Sequence, residues 1–121
     1  MYKAKRIGTE NVFAIKAFTK ADIWEQSKGV AGVQNEVNVM RSYGDNKHLM
    51  NFHEIHETTH SLYMVVEYMN GGELLKSMSK KKRYSEKKVK VIMKNLLLGL
   101  RDLHELGVMH RDLKPENLII K

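Results

Sequence analysis

A chain of 121 residues, 42% hydrophobic by composition, is long enough to bury the core of one domain or of part of one. Its 21 Lys and Arg against 14 Asp and Glu leave a net charge of +7, which draws polyanions at low salt without choosing among them. The absence of cysteine excludes a disulfide framework and any thiolate metal site, and no apolar run is long enough to span a bilayer or to act as a secretory signal after Met1, so the expectation is an intracellular, cytoplasmic chain with no membrane partner.

Tyr2–Ile7 and Val12–Phe18 read as two strands of a hairpin across the polar turn Gly8-Thr9-Glu10-Asn11. The two-residue period puts Val12, Ala14, Lys16 and Phe18 on one face and Phe13, Ile15 and Ala17 on the other. A lysine in an apolar strand is costly to bury unless an anion meets it. The alternative is an edge strand with Lys16 in solvent. Thr19–Gly32 is irregular, with a short turn expected around Ala21–Ser27. Val33–Ser42 reads as a helix in which Val33, Glu36, Val37 and Met40 share a face, so Glu36 points with the apolar stripe rather than away from it. After a polar loop from Tyr43 to His48, Leu49–Glu57 and Ser61–Tyr68 read as strands. The second is nearly continuously apolar, as in a strand buried on both faces. Asn70-Gly71-Gly72 permits a sharp change of direction, and Glu73–Met78 opens a short helix.

The basic run Lys80–Arg83, joined by Lys87, Lys88 and Lys90, reads as a solvated loop and helix start. It lacks aromatic interleaving apart from Tyr84 and carries no nucleic-acid motif, so no specific nucleic-acid partner is expected. Ser85–Glu105 is the best-defined helix: Ser85 caps it, Glu86 lies in the first turn and Gly107 stops it. Its apolar stripe is Val89, Ile92, Met93, Leu96, Leu100 and Leu103, widened by Leu97 and Leu98 toward burial on more than one side. Its expected work is to hold a short strand, Val108-Met109, and the following loop at fixed height. The histidines at 48, 53, 56, 60 and 104 have no ligand spacing, so no zinc site is expected.

That loop, His110-Arg111-Asp112-Leu113-Lys114-Pro115-Glu116-Asn117, places two acids, cations and an amide in front of the apolar run Leu118–Ile120. Asp112 could accept a proton from a hydroxyl, Lys114 could neutralise a transferring phosphoryl group, and Asn117 offers an amide oxygen to a hard cation such as Mg²⁺. The string resembles the catalytic loop of protein kinases, and its Lys-Pro-Glu resembles the serine/threonine branch. Val-Phe-Ala-Ile-Lys, ending at Lys16, resembles the kinase strand whose lysine holds the α and β phosphates of ATP.

The resemblance implies an α+β, protein-kinase-like fold. Residues 1–69 would form an antiparallel-sheet N-terminal lobe with one main helix and the hinge, and residues 70–121 the start of the helical C-terminal lobe. The piece would be truncated at both ends, without the glycine-rich loop before Tyr2 or the Asp-Phe-Gly segment after Lys121. It implies transfer of the ATP γ-phosphoryl group to a Ser or Thr hydroxyl of a protein substrate. Asp112 would orient the hydroxyl and take its proton, Lys114 would stabilise phosphoryl charge, Asn117 would bind Mg²⁺, and Lys16 paired with Glu36 would fix the nucleotide. Around the adenine, Ala14 would form the roof, Ile119 the floor and Val66 the back, with the backbones of Glu67 and Met69 at its edge. Glu73 would meet the ribose or a basic peptide and Glu116 a basic substrate side chain. Arg111 would read a phosphorylated activation segment, and His110 would pack under the loop. The Glu67–Leu74 stretch is similar to calcium/calmodulin-type kinases. Alone, the chain is expected to be inactive. The alternative is a truncated kinase that binds nucleotide or partners without catalysis. The sequence leaves the oligomeric state open.

Overall fold

The computed structural model describes residues 1–25, 29–80 and 83–121. The end of the turn expected over Ala21–Ser27 and the middle of the basic run Lys80–Arg83 lie outside them. The chain forms two compact units, Met1–Asn46 with Met50–Tyr68, and Lys47–Leu49 with Met69–Lys121.

The first unit is an antiparallel sheet in the order β1-β2-β4-β3, built from β1 (Tyr2–Lys5), β2 (Val12–Thr19), β3 (Phe52–Glu57) and β4 (Ser61–Glu67), with two helices, α1 (Lys20–Glu25) and α2 (Gly29–Tyr43). β4 is central, and its Met64 and Val66 are each only 1% exposed. They join Ala14, Ile23, Val33, Val37 and Met40 in one core, so the apolar face read for the helix is the face that α2 buries.

Several boundaries differ from the sequence reading, each for a local reason. β1 ends at Lys5 because the Arg6 N–H turns to Asn11 O at 3.1 Å and Thr9 N–H returns to Arg6 O. The stretch after β2 is a helix rather than irregular chain: Thr19 Oγ1 accepts from Asp22 N–H at 3.1 Å, a cap whose short signal is easily lost in a polar sequence. α2 starts four residues earlier than the expected Val33 and takes in Tyr43. β3 starts at Phe52, since Met50 O and Asn51 O accept hydrogen bonds from Tyr43 Oη and Glu67 N–H.

In the second unit β5 (Gly72–Glu73) pairs with β6 (Ile119–Ile120), and two helices, α3 (Leu74–Lys80) and α4 (Glu86–Glu105), lie between them in sequence. Ser85 caps α4 by accepting from Lys88 N–H at 3.3 Å. Gly107, at φ 70°, ends it, with its N–H on His104 O and the Val108 N–H on Leu103 O at 3.0 Å. That last bond removes the donor that Val108 would need for a ladder, and Val108-Met109 is not a strand. The broad apolar face expected of α4 is only partly covered. Gly99 lies against the His48 backbone and Leu103 is buried, whereas Val89, Met93 and Leu97 are exposed. Among the described residues, no helix is long and apolar enough to cross a membrane.

Candidate active site

In the first unit β2 carries Ala14 and Lys16 on one face, opposite Val66 and Met64 of β4. Ala14 is buried, and Lys16 reaches past the core edge to Glu36 of α2, with Nζ 2.8 Å from Oε1. Both side chains are partly exposed, so the pair contributes on the order of 0.2–1 kcal/mol to folding and matters more for where it holds the ammonium. The ammonium also sits over the Phe18 ring, 4.9 Å from its centroid. Tyr43, further along α2, donates its hydroxyl to Met50 O at 2.7 Å. Burial, with the nearby Glu36 charge adding to it, pushes the Tyr43 phenol up to about 12.

In the second unit the loop from His110 to Asn117 is exposed throughout and is ordered by its own polar groups. Asp112 Oδ2 receives Lys114 Nζ at 3.1 Å and Asn117 Nδ2 at 2.9 Å, and the same Nδ2 donates to Asp112 O at 2.8 Å. The hydrogen bonds from Lys114 and then Asn117 hold the Asp112 carboxyl below the usual carboxylate range, so at neutral pH it is an ionised acceptor. Both bonds converge on Oδ2. Pro115–Asn117 is a 3-10 turn begun by the proline, which brings Asn117 back over Asp112. Arg111 stands at φ 61°, a left-handed backbone that costs a non-glycine residue on the order of 1 kcal/mol. His110 does not pack beneath the loop as expected: it is exposed, and its Nδ1 accepts the Asp112 N–H at 3.3 Å.

As donors to a hard cation these residues fit in part. With Nδ2 committed to Asp112, Asn117 has its amide oxygen to offer, a suitable ligand for Mg²⁺. Among the described residues no three His, Asp or Glu gather into a metal cluster.

The sequence profile of the protein kinase domain matches residues 1–121. The chain belongs to the protein kinase domain family. It is 38% identical over 120 residues to the CBL-interacting protein kinase 30 of Oryza sativa subsp. japonica, covering 99% of this chain and 25% of that protein. It is 35% identical over 118 residues to the serine/threonine-protein kinase PEPKR2 of Arabidopsis thaliana, covering 98% of this chain and 23% of that protein. The crystal structure of Rad53 1-466 in complex with AMP-PNP superposes with a TM-score of 0.89 at 29% identity, over 98% of this chain and 30% of that one. The chain is thus a segment of a serine/threonine-kinase catalytic domain spanning about a quarter of the length of these curated relatives. The kinase names among them do not single out the calcium/calmodulin type.

The remaining residues of this kinase segment are distributed as follows. Val66 is buried on β4, and the Glu67 N–H donates to Asn51 O at 2.9 Å. Met69 O accepts the Gly72 N–H at 3.4 Å. Glu73 pairs with Lys76 at 2.6 Å, Ile119 is half-buried opposite Glu73 in the β5–β6 pair, and Arg111 and Glu116 are exposed. Two residues whose neighbours matter structurally are not marked by the sequence reading. Tyr43 falls in the stretch read as a polar loop, although a tyrosine seven residues after Glu36 repeats its helical face. Gly71 reads as a turn residue, and a Cβ there would also lie 2.5 Å from Ile120 O.

Proposed function

We propose that this kinase segment supplies the nucleotide-anchoring pair and the catalytic loop of an enzyme that transfers the γ-phosphoryl group of ATP to a protein Ser or Thr hydroxyl. The observation that carries the reading is the convergence of Lys114 and Asn117 on one oxygen of an ionised Asp112. Asp112 Oδ1 accepts the hydrogen bond of the Ser or Thr hydroxyl and takes its proton as the hydroxyl oxygen bonds to the γ-phosphorus and the bond to the departing ADP oxygen breaks. Lys114, one hydrogen bond away from Asp112, neutralises phosphoryl charge, and Lys16, held by Glu36, anchors the α and β phosphates. Asn117 would hold Mg²⁺, which when bound offsets charge on the phosphate oxygens.

The family resemblance supports the finer assignments. Ala14, Val66, Ile119 and the backbones of Glu67 and Met69 take the adenine, Glu73 and Glu116 meet ribose or basic substrate side chains, and Arg111 meets a phosphorylated segment. The boundary between lobes lies at residues 69 and 70, and the enzyme works inside the cell.

Titration of the 121-residue chain with AMP-PNP, with and without Mg²⁺, tests the reading. Wild type should bind more tightly with Mg²⁺, and Lys16→Ala should weaken binding about tenfold or more, as expected for loss of charge-assisted phosphate contacts. Asp112→Asn should leave binding within about twofold, because Asp112 acts on the acceptor hydroxyl. Equal affinity in wild type and Lys16→Ala would overturn the assignment.

A further inference from the structure

We propose that Tyr43 is a positioning residue for the Lys16–Glu36 pair: its hydroxyl fastens the last turn of α2 to Met50, and this sets where Glu36 stands relative to Lys16. The inference rests on the reading of that pair as the phosphate anchor. Glu36, Met40 and Tyr43 follow one another at spacings of four and three and therefore line one side of α2. Met40 is buried, while Glu36 and Tyr43 are half-buried at its two ends.

The bond from Tyr43 closes a mechanical circuit. Its hydroxyl donates to Met50 O at 2.7 Å, and next to it the Asn46 N–H donates to Asn51 Oδ1 at 2.9 Å. Asn51 O in turn accepts the Glu67 N–H at 2.9 Å, and β4 carries Met64 directly opposite Lys16 on β2. The helix bearing Glu36 and the strand bearing Lys16 are thus joined at the far end of the helix as well as through the core. The pair does not fix itself. It is partly exposed, and Lys16 has a second attraction in the Phe18 ring. An outside constraint on α2 therefore decides how often the ammonium meets the carboxylate. A phenol raised to about 12 remains a donor throughout the physiological range.

Tyr43→Phe keeps the ring and removes the hydroxyl. In the 121-residue chain, the nuclear Overhauser effect between the Lys16 Hε and Glu36 Hγ protons reads the pairing without nucleotide. It should fall to about half or less in Tyr43→Phe, while the amide spectrum stays dispersed. AMP-PNP affinity should drop about three- to tenfold, the effect of one hydrogen bond worth about 1 kcal/mol. In a Glu36→Gln background Tyr43→Phe should add less than about twofold, because there is no pair left to position. A lower melting temperature with an unchanged Lys16–Glu36 signal would overturn the inference and leave Tyr43 a purely structural role. A fallen signal with no nucleotide binding in any variant, wild type included, would support the positioning role and sink the nucleotide reading instead. Should Tyr43→Phe not fold, 3,5-difluorotyrosine at position 43 keeps the donor at low pH and loses it when its more acidic phenol ionises. The signal must then fall with that ionisation, and indifference to it overturns the proposal.

Discussion

The two charged clusters of this kinase segment are built in opposite ways. Lys16 and Glu36 stand 20 residues apart and meet because β2 and α2 pack on one core that includes Val33, Val37, Met40, Met64 and Val66. Asp112, Lys114 and Asn117 lie within six residues, all exposed, and meet through their own hydrogen bonds and a proline-started turn. Geometry made by tertiary packing is only as secure as the unit that packs it. Geometry made by local bonds survives distant damage but answers to each neighbour, to salt and to pH.

The sharpest way to break this contrast is to damage the core under Lys16. Met64 is 1% exposed and lies opposite both Lys16 and Ile55 in the sheet, so Met64→Ala should cost about 2–5 kcal/mol. Urea denaturation should show the loss, and the Lys16–Glu36 contact should fade with it. The Asp112 carboxyl, followed by carbon-13 NMR, should titrate as before. A change in Asp112 as large as the change at Lys16 would refute the distinction.

A smaller effect tests how local the catalytic loop is. Its exit is clamped to β5: Gly71 N–H donates to Ile120 O at 2.9 Å and Leu74 N–H to Leu118 O at 2.8 Å. A Cβ at Gly71 would stand 2.5 Å from Ile120 O and 2.6 Å from Ile120 Cβ, contacts that backbone must relieve by moving. Gly71→Ala should therefore destabilise by about 1–3 kcal/mol in thermal denaturation. It should also speed hydrogen exchange at the Leu74 amide. Unaltered exchange there would mean that the clamp is not what holds β6.

What the sequence disclosed follows the same division. The Asp112 cluster was legible because its groups are consecutive and their chemistry can be read from the string. Lys16 and Glu36 were legible because each sits on a periodic element where a charge is out of place. Periodicity also found the faces of β2 and α2, whereas β4, read as buried on both faces, buries Met64 and Val66 and leaves Tyr63 exposed. It failed where a tertiary partner decides. The apolar stripe of α4 says nothing about which neighbour covers it, and Met93 and Leu97 stand exposed. Val108-Met109 has strand composition, yet the helix end takes the Val108 donor. The value of Tyr43 depends on Met50 O and that of Gly71 on Ile120, and neither partner is a side-chain type that a pattern can register.

The smallest effect concerns Asp112 itself and separates its two partners. Its folded pKa is depressed, so the interactions favour the ionised form. Their contribution is fully present above the ordinary aspartate value of about 3.9 and is lost as pH falls through the lower folded value. Lys114→Met removes the larger cause and Asn117→Ala the smaller; each should raise the carbon-13 titration midpoint of Asp112 toward the ordinary value, with Lys114→Met raising it further. Salt should divide them again. At about 1 M the screening length is near 3 Å, so the Coulombic share from Lys114 should shrink while the bond from a neutral amide persists. In high salt, then, Lys114→Met should lose more of its effect than Asn117→Ala does. If salt moved both variants alike, the carboxylate would be responding to the general field of a +7 chain, and the loop would owe its electrostatics to the whole molecule rather than to the two bonds on Oδ2.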